Sequence, residues 1–158
     1  MTGVKVFGAV LVLFSAVVWG VVRIKEGRAQ RARAEAFLLL LRHIRTQIDC
    51  FSMPVCEILK NADPTLLAAC GATAPPADFG TLLGVGQEEL SPEARAVLVA
   101  FARELGTTYR TEQLRLCDRH IGELEAVCAA ARGEALRREK LFVLLPPALA
   151  GIVILLLF

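Results

Sequence analysis

The sequence predicts an all-α protein: an antiparallel bundle of about five to six helices, flanked by an N-terminal and a C-terminal transmembrane helix. Three observations carry this. Every Asp and Glu lies between Glu26 and Glu139. Uncharged runs stand at both ends, from Val6 to Val22 and from Leu141 to Phe158. Between them, apolar residues recur at helical spacing, and no stretch sustains the two-residue alternation of a half-buried strand. With 158 residues, 55% apolar and a formal charge of +2, the chain has room for one central domain. The expected division is 4–22, transmembrane helix; 23–140, cytoplasmic helical bundle; 141–158, transmembrane helix.

The first run is long enough to span. Seventeen or eighteen helical residues cover roughly 26–27 Å, against a hydrocarbon core of about 30 Å. Trp19 sits near its end, and Arg23, Lys25, Arg28, Arg31 and Arg33 follow against one acid, Glu26. A cleaved signal peptide is the competing reading, but no small-x-small cleavage site is evident. Arg132, Arg137, Arg138 and Lys140 precede the last run, and nothing basic follows it. Basic residues stay on the cytoplasmic side, which puts the middle in the cytoplasm and both termini across the membrane. The last run is then expected to be a closing anchor. A buried core helix is its competing reading, which the lack of a polar side opposes. Pro146-Pro147 is read either as a kink near the interface or as a bend that sets the entry angle.

The first bundle helix is expected from about Glu26 to Asp49, with Ala34, Phe37, Leu41, Ile44 and Ile48 on one face. Leu38, Leu39 and Leu40 widen that face toward a second neighbour. A break near Phe51-Ser52 precedes a short helix whose first turn holds Pro54. In "NADPTLLAACG", Asp63 caps, Pro64 opens and Gly71 ends a further short helix. "ATAPPADFGTLLGVGQ" is the loosest stretch, with a helical turn expected around Asp78 to Leu83. "SPEARAVLVAFARELG" is the clearest signal: Ser91 caps, Pro92 opens, Glu93 complements the helix start and Gly106 closes. Its stripe is Ala94, Val97, Leu98, Phe101 and Leu105. From near Thr108 a last helix runs to the membrane. Its seam of Leu114, Cys117, Ile121, Leu124, Cys128, Ala131 and Ala135 is expected to pack antiparallel to the first helix. Ile48, Phe101, Leu105, Leu114, Ile121 and Leu124 are the side chains expected to be buried.

Little in the middle block carries chemistry. The five cysteines, Cys50, Cys56, Cys70, Cys117 and Cys128, are odd in number and irregular in spacing, which argues against a disulfide framework. Cys117 and His120 are three apart on a helix, but no second ligand pair has zinc spacing; a packed Cys and a surface His is the expected arrangement. His43 reads as solvated. "GTLLGVGQ" lacks the Gly-Lys-Ser/Thr ending of a phosphate loop, and no Lys occurs between Lys60 and Lys140. Glu88-Glu89 and Glu123/Glu125 are too close in sequence to face one another on a helix. The basic cluster lies beside a predicted membrane span, so anionic lipid accounts for it better than nucleic acid. The expectation is a non-enzymatic protein with no cofactor, no metal and no nucleic-acid partner.

The order of features is distinctive: a glycine-containing N-terminal run, an Arg-rich helix start, "LLLLRHIRTQIDCFSMPVCEIL", "FARELGTTYRTEQLRL", and an apolar C-terminal run. It resembles the stage III sporulation protein AB family. Gln47, Ile48, Phe51, Pro54 and Leu59 stand at places of that family's Glu-Ile-x-Tyr, Pro and Leu pattern. Leu105, Gly106 and Gln113 match its Leu-Gly-x-x-Asp and Gln, with Thr108 or Tyr109 near the place of the acid. The resemblance implies a helical bundle similar to the F-domain of type II secretion platform proteins. It also implies a place in the channel complex between mother cell and forespore, in the mother-cell membrane, and work with a secretion-type ATPase, the stage III sporulation protein AA. Homo-oligomerisation is an open possibility beside these partners. A small two-span pore-former of the holin type and a membrane-tethered enzyme are the alternatives; membrane lesions on expression would favour the first. The segment from 60 to 92 is expected to be the end of the bundle most distant from the membrane. Its acids Asp78, Glu88, Glu89 and Glu93 are the candidate partner-binding residues, facing a basic surface on the ATPase.

Overall fold

The computed structural model describes the backbone of residues 2–51, 53–107 and 109–157, and the side chains of residues 22, 24–51, 53–107 and 109–137. Among these residues every regular element is helical: α1 (Thr2–Phe51), α2 (Val55–Asn61), α3 (Pro64–Ala69), α4 (Phe79–Gly86), α5 (Pro92–Glu104) and α6 (Arg110–Leu157), with a short 3-10 turn at Gln87–Glu89. No helix among the described residues is long and apolar enough to cross a membrane. The two predicted spans, 4–22 and 141–158, lie outside the described side chains except for Val22, and so does Pro146-Pro147.

α1 and α6 form the frame and run antiparallel, as their seams predict. Four ion pairs join them. Glu35 meets Arg132 at 2.9 Å, Arg42 meets Glu125 at 2.6 Å, Arg45 meets Asp118 at 2.9 Å and Asp49 meets Arg110 at 3.4 Å. As the residue number rises along α1 it falls along α6, which defines the direction. Such exposed pairs are each worth about 0–1 kcal/mol, so burial of the seam between them supplies the stability. Arg110 also donates to the carbonyls of Ile48 and Asp49, two of the acceptors that the end of α1 leaves without helical partners.

On α1 the predicted stripe is buried throughout, from Ala34 to Ile48. Leu38 and Leu40 turn inward as well, and α1 touches α2 and α3 in addition to α6. Leu39, between them, stays 53% exposed. Of the six side chains expected in the core, Ile48, Phe101 and Leu124 are there. Leu105, Leu114 and Ile121 are half-buried at its margin. α5 packs against α6 and draws the buried arc toward its own side, so that His120 enters the core instead of Ile121. The predicted surface histidine is therefore a core residue, 2% exposed, with its ring edge-on to Phe101 at 5.6 Å.

That contact ends a chain of rings. Phe37 of α1 meets Phe79 of α4 at 6.2 Å, and Phe79 meets Phe101 of α5 at 5.1 Å, each edge to face. Such pairs add about 0.5–1.5 kcal/mol beyond their area. They fasten the short helices to the frame.

The caps follow the sequence. Asp63 Oδ1 accepts from the Thr65 backbone N–H and hydroxyl, both at 2.8 Å; Asp78 Oδ1 accepts from the Thr81 N–H at 2.6 Å; Ser91 Oγ accepts from the Ala94 N–H at 3.2 Å. Pro64 and Pro92 open their helices. Gly71 and Gly106 take the left-handed backbone, at φ of 103° and 82°, that ends α3 and follows α5. Pro54 is the residue before α2, not within its first turn.

These hydrogen bonds hold both cap carboxylates below their ordinary value: the Thr65 hydroxyl ahead of its N–H for Asp63, the Thr81 N–H first for Asp78. A lowered folded value means the stabilisation is present above the usual 3.8 and is lost as the pH falls through the lower folded value. Replacing Asp63 and Asp78 by Asn, which caps without a charge, is expected to flatten the acid limb of stability. Thermal melts stepped down through that window check it, and an unchanged limb would contradict it.

Candidate functional site

The four candidate acids do not gather at one end. Arg33, on α1, fixes the position of one of them, Glu89. Its side chain is only 17% exposed. It donates to Glu89 through Nε at 3.1 Å and through Nη2, and to the Ala69 carbonyl at the end of α3 at 3.0 Å. Glu89 and the end of α3 thus sit beside the part of α1 nearest the N-terminal apolar run. Ala69 to Cys70 and Gly86 to Glu89 are held together there. A Cβ on Gly86 would lie 2.3 Å from the Cys70 carbonyl oxygen, and one on Gly71 would lie 3.1 Å from the Gly86 Cα. Glu88 adjoins this corner in the chain and is exposed. Glu93 opens α5, which runs antiparallel to α6 with Glu104 on Arg119 at 2.6 Å. The start of α5 therefore lies toward the same end as Arg33 and Arg132.

Asp78 is elsewhere. It borders a groove with Ile48 and Arg110, at the opposite end of the α1–α6 pair. Arg33 and Ile48 are fifteen residues apart on α1, roughly 22 Å. The segment 60–92 thus runs back along the bundle. Its middle reaches the tip and its two flanks approach the basic collar, where Glu89 is neutralised by Arg33. The expected single acidic tip is replaced by one tip acid, Asp78. The sequence concealed this because the return of α3 and α4 along α1 depends on contacts between glycines and a half-buried arginine, which have no local signature.

The tip groove has a volume of about 710 Å³. The end of α1 gives Ile48; the α1–α2 corner gives Met53, Pro54, Val55 and Cys56; α4 gives Phe79 and Gly80; α5 and its turn give Ala102, Leu105 and Gly106; α6 gives Arg110 and Gln113. Two aromatic side chains next to these in the chain are held in solvent: Phe51 is 67% exposed and Tyr109 is 91% exposed. Phe51 continues the spacing of the α1 stripe by one step yet stays in solvent at the helix end, and Tyr109 stands in the turn before α6. Arg110 has its charge matched by Asp49. Asp78 is the other charged lining residue, and it is exposed.

The remaining chemistry-bearing side chains are engaged in structure. His120 Nε2 lies 3.1 Å from Arg119 Nη2, which can only donate, so Nε2 accepts and the Nδ1–H faces Glu123 Oε2 at 3.0 Å. Burial pushes the Cys70 thiol up to about 12 and the Cys117 thiol to about 11, with the Asp118 carboxylate adding to the latter. Both are inert as nucleophiles at neutral pH. Cys50 and Cys56 are exposed. His43 is half-buried. Among the described residues no cluster of His, Cys, Asp and Glu is arranged to hold a metal ion. No family model matches the chain, and neither a curated protein nor a solved structure matches it.

Proposed function

We propose that this chain is a membrane-anchored, non-enzymatic scaffold of the sporulation channel between mother cell and forespore, and that it docks a secretion-type ATPase of the stage III sporulation protein AA kind. The reading holds residues 4–22 and 141–158 as membrane anchors and the bundle as cytoplasmic. One observation supports the mechanical part most: α1 and α6, the helices that bear the two apolar runs, are joined pair by pair through the bundle. A displacement at the tip would be shared by both runs, because the buried seam that these pairs flank packs α1 and α6 along their length.

Binding is the direct test. The full-length chain in zwitterionic nanodiscs is expected to retain the purified ATPase encoded in the same genome at low salt. Absence of retention would overturn the docking role.

Topology has its own test. Cys70 lies fully buried, not in an exposed loop, so the informative thiols are Cys50 and Cys56. A membrane-impermeant maleimide is expected to leave both unmodified in intact cells and to label both after permeabilisation. Cys70 and Cys117 should react only on unfolding. Modification of Cys50 or Cys56 in intact cells would reverse the orientation.

A further inference from the structure

We propose that copies of this chain pack side by side, the outer face of α4 in one copy against the outer face of α6 in the next. The inference rests on the anchors of the scaffold reading, which hold every copy parallel, and it gives the scaffold a way to grow into an array.

The two faces look away from each other. α1 and α5 lie between them: α6 packs on both, α3 on α1 and α4 on α5. The side of α6 turned from its seam holds Gly122, Ala126, Ala129, Ala130, Gly133 and Leu136, all exposed. Spacings of three and four residues set them on one face about 21 Å long. Nothing stands within 4 Å of a Cβ placed on Gly122 or Gly133. A solvated helix face ordinarily carries charge. Here the charges of the same stretch are turned aside: Glu123 meets His120, Glu125 meets Arg42 and Arg132 meets Glu35. Glu134 stands about 100° round the helix from Gly133. The shallow face therefore admits close approach by a protruding apolar side chain.

α4 presents one. Val85 is 59% exposed, with exposed Thr81 and Gly84 on the same side of the helix. From Pro64 to Glu89 every charge is acidic: Asp78, Glu88 and Glu89. Asp78 caps α4 and Glu89 is matched by Arg33, which leaves Glu88 as the unmatched acid of this face. Its height along the bundle is fixed by its neighbour. Glu89 is held by Arg33, two residues from Glu35 on α1, and Glu35 meets Arg132 on α6. Arg137 stands five residues beyond Arg132 and is exposed. Among the described residues, neither Glu88 nor Arg137 takes part in an ion pair.

Charge selects the mode of pairing. Two parallel copies related by a two-fold axis set a face against itself. α6 on α6 would bring Arg115, Arg119 and Arg137 beside their equivalents, and α4 on α4 would bring Glu88 beside Glu88. α4 on α6 lays Val85 on the shallow face and turns Glu88 toward Arg137 at the same end of the bundle. Opposite charges then meet and like charges stay apart. This contact leaves one unused face on each outer copy, so it propagates into a ring or a row instead of stopping at two. Copies already held parallel in one membrane have given up much of the freedom that association costs, so a modest surface suffices.

Val85→Arg and Ala126→Arg each put a charge at an exposed position in one of the two faces. The full-length chain, carrying a donor or an acceptor dye at its N-terminus, is reconstituted in zwitterionic vesicles, and energy transfer is followed as lipid dilutes the protein. Wild type is expected to show transfer that survives dilution. Each variant alone should lose about tenfold or more in apparent affinity. An equal mixture of donor-labelled Val85→Arg with acceptor-labelled Ala126→Arg should recover transfer, because each keeps the face that the other lacks; recovery also shows that both are folded. Glu88→Arg should weaken transfer about threefold, and Arg137→Glu added in the same chain should restore it. No transfer by wild type, transfer untouched by either arginine, or a mixture no better than its components would each overturn the contact. Loss with Ala126→Arg alone would mean that α6 meets its own copy, and would overturn it equally. The ATPase reads the parent proposal separately: retention without transfer removes the array and keeps the docking, and transfer without retention does the reverse. Modification of Cys50 or Cys56 in intact cells would turn the anchors over and still leave the copies parallel.

Discussion

Replacing Gly86 with alanine is expected to destabilise the bundle by about 1–3 kcal/mol or more, the usual cost of overpacking. The added Cβ would stand 2.3 Å from the Cys70 carbonyl oxygen and 3.0 Å from the Phe37 ring. Neither obstacle is the loose end of a flexible side chain. The carbonyl belongs to the backbone that ends α3, and Phe37 is fully buried. Relief would require α3 and α4 to part, which would loosen Arg33 from Ala69 and Glu89. Gly84 lies two residues earlier on the same helix, is exposed, and has nothing within 4 Å of its Cβ position. Gly84→Ala is therefore expected to gain about 0.5–1 kcal/mol, the ordinary advantage of Ala over Gly in a helix. Thermal melts of the full-length chain in detergent, followed by circular dichroism, measure both. Two variants that melt together would show that the close approach is not what holds this corner.

Truncating Phe101 to alanine should cost more, about 3–5 kcal/mol. The ring is fully buried, and it is the link between Phe79 and His120 in the series that crosses the bundle. Removal leaves a space walled by α4, α5 and α6, and these helices are tied to α1 and cannot collapse freely into it. Phe101→Leu, which keeps most of the volume, should cost distinctly less. Urea unfolding gives the comparison: the midpoint should fall for both, with the slope unchanged. A loss for Phe101→Ala no larger than for Phe101→Leu would place the ring outside the structural core.

What the sequence made legible was local or periodic. Asp63 and Ser91 announced helix starts because a short acceptor beside Pro satisfies backbone donors within three residues; Asp78, which caps α4 in the same way, stood only at the edge of an expected helical turn. The α1 stripe and the antiparallel partnership of α1 with α6 were legible because periodicity fixes which face is buried. Position across the bundle was not. His120 reads as exposed because Asp118 and Arg119 precede it and Glu123 follows, yet α5 covers its side of α6. "GTLLGVGQ" lacks the ending of a phosphate loop, and its glycines serve a closer purpose: Gly86 lets two short helices touch. Glu89 reads as a free acid in the sequence because its partner, Arg33, stands 56 positions earlier. The tip groove lay beyond reach for the same reason, since five separate elements make it.

The four pairs between α1 and α6 have a consequence for how the chain finds its alignment. Along α1 their signs run negative, positive, positive, negative, from Glu35 through Arg42 and Arg45 to Asp49; the facing series on α6 is the complement. Sliding one helix by a heptad, about 10.5 Å, would still present an apolar seam to an apolar seam. Each slide would replace the four opposite pairs by one like pair and one opposite pair: Glu35 against Glu125 with Arg42 against Asp118, or Arg42 against Arg132 with Arg45 against Glu125. Exposed pairs that add little to the depth of the native minimum thus raise its misaligned neighbours. The ladder acts as a code read once, when the two long helices first meet, and its effect should appear less in the melting temperature than in the share of molecules that fold to a single alignment.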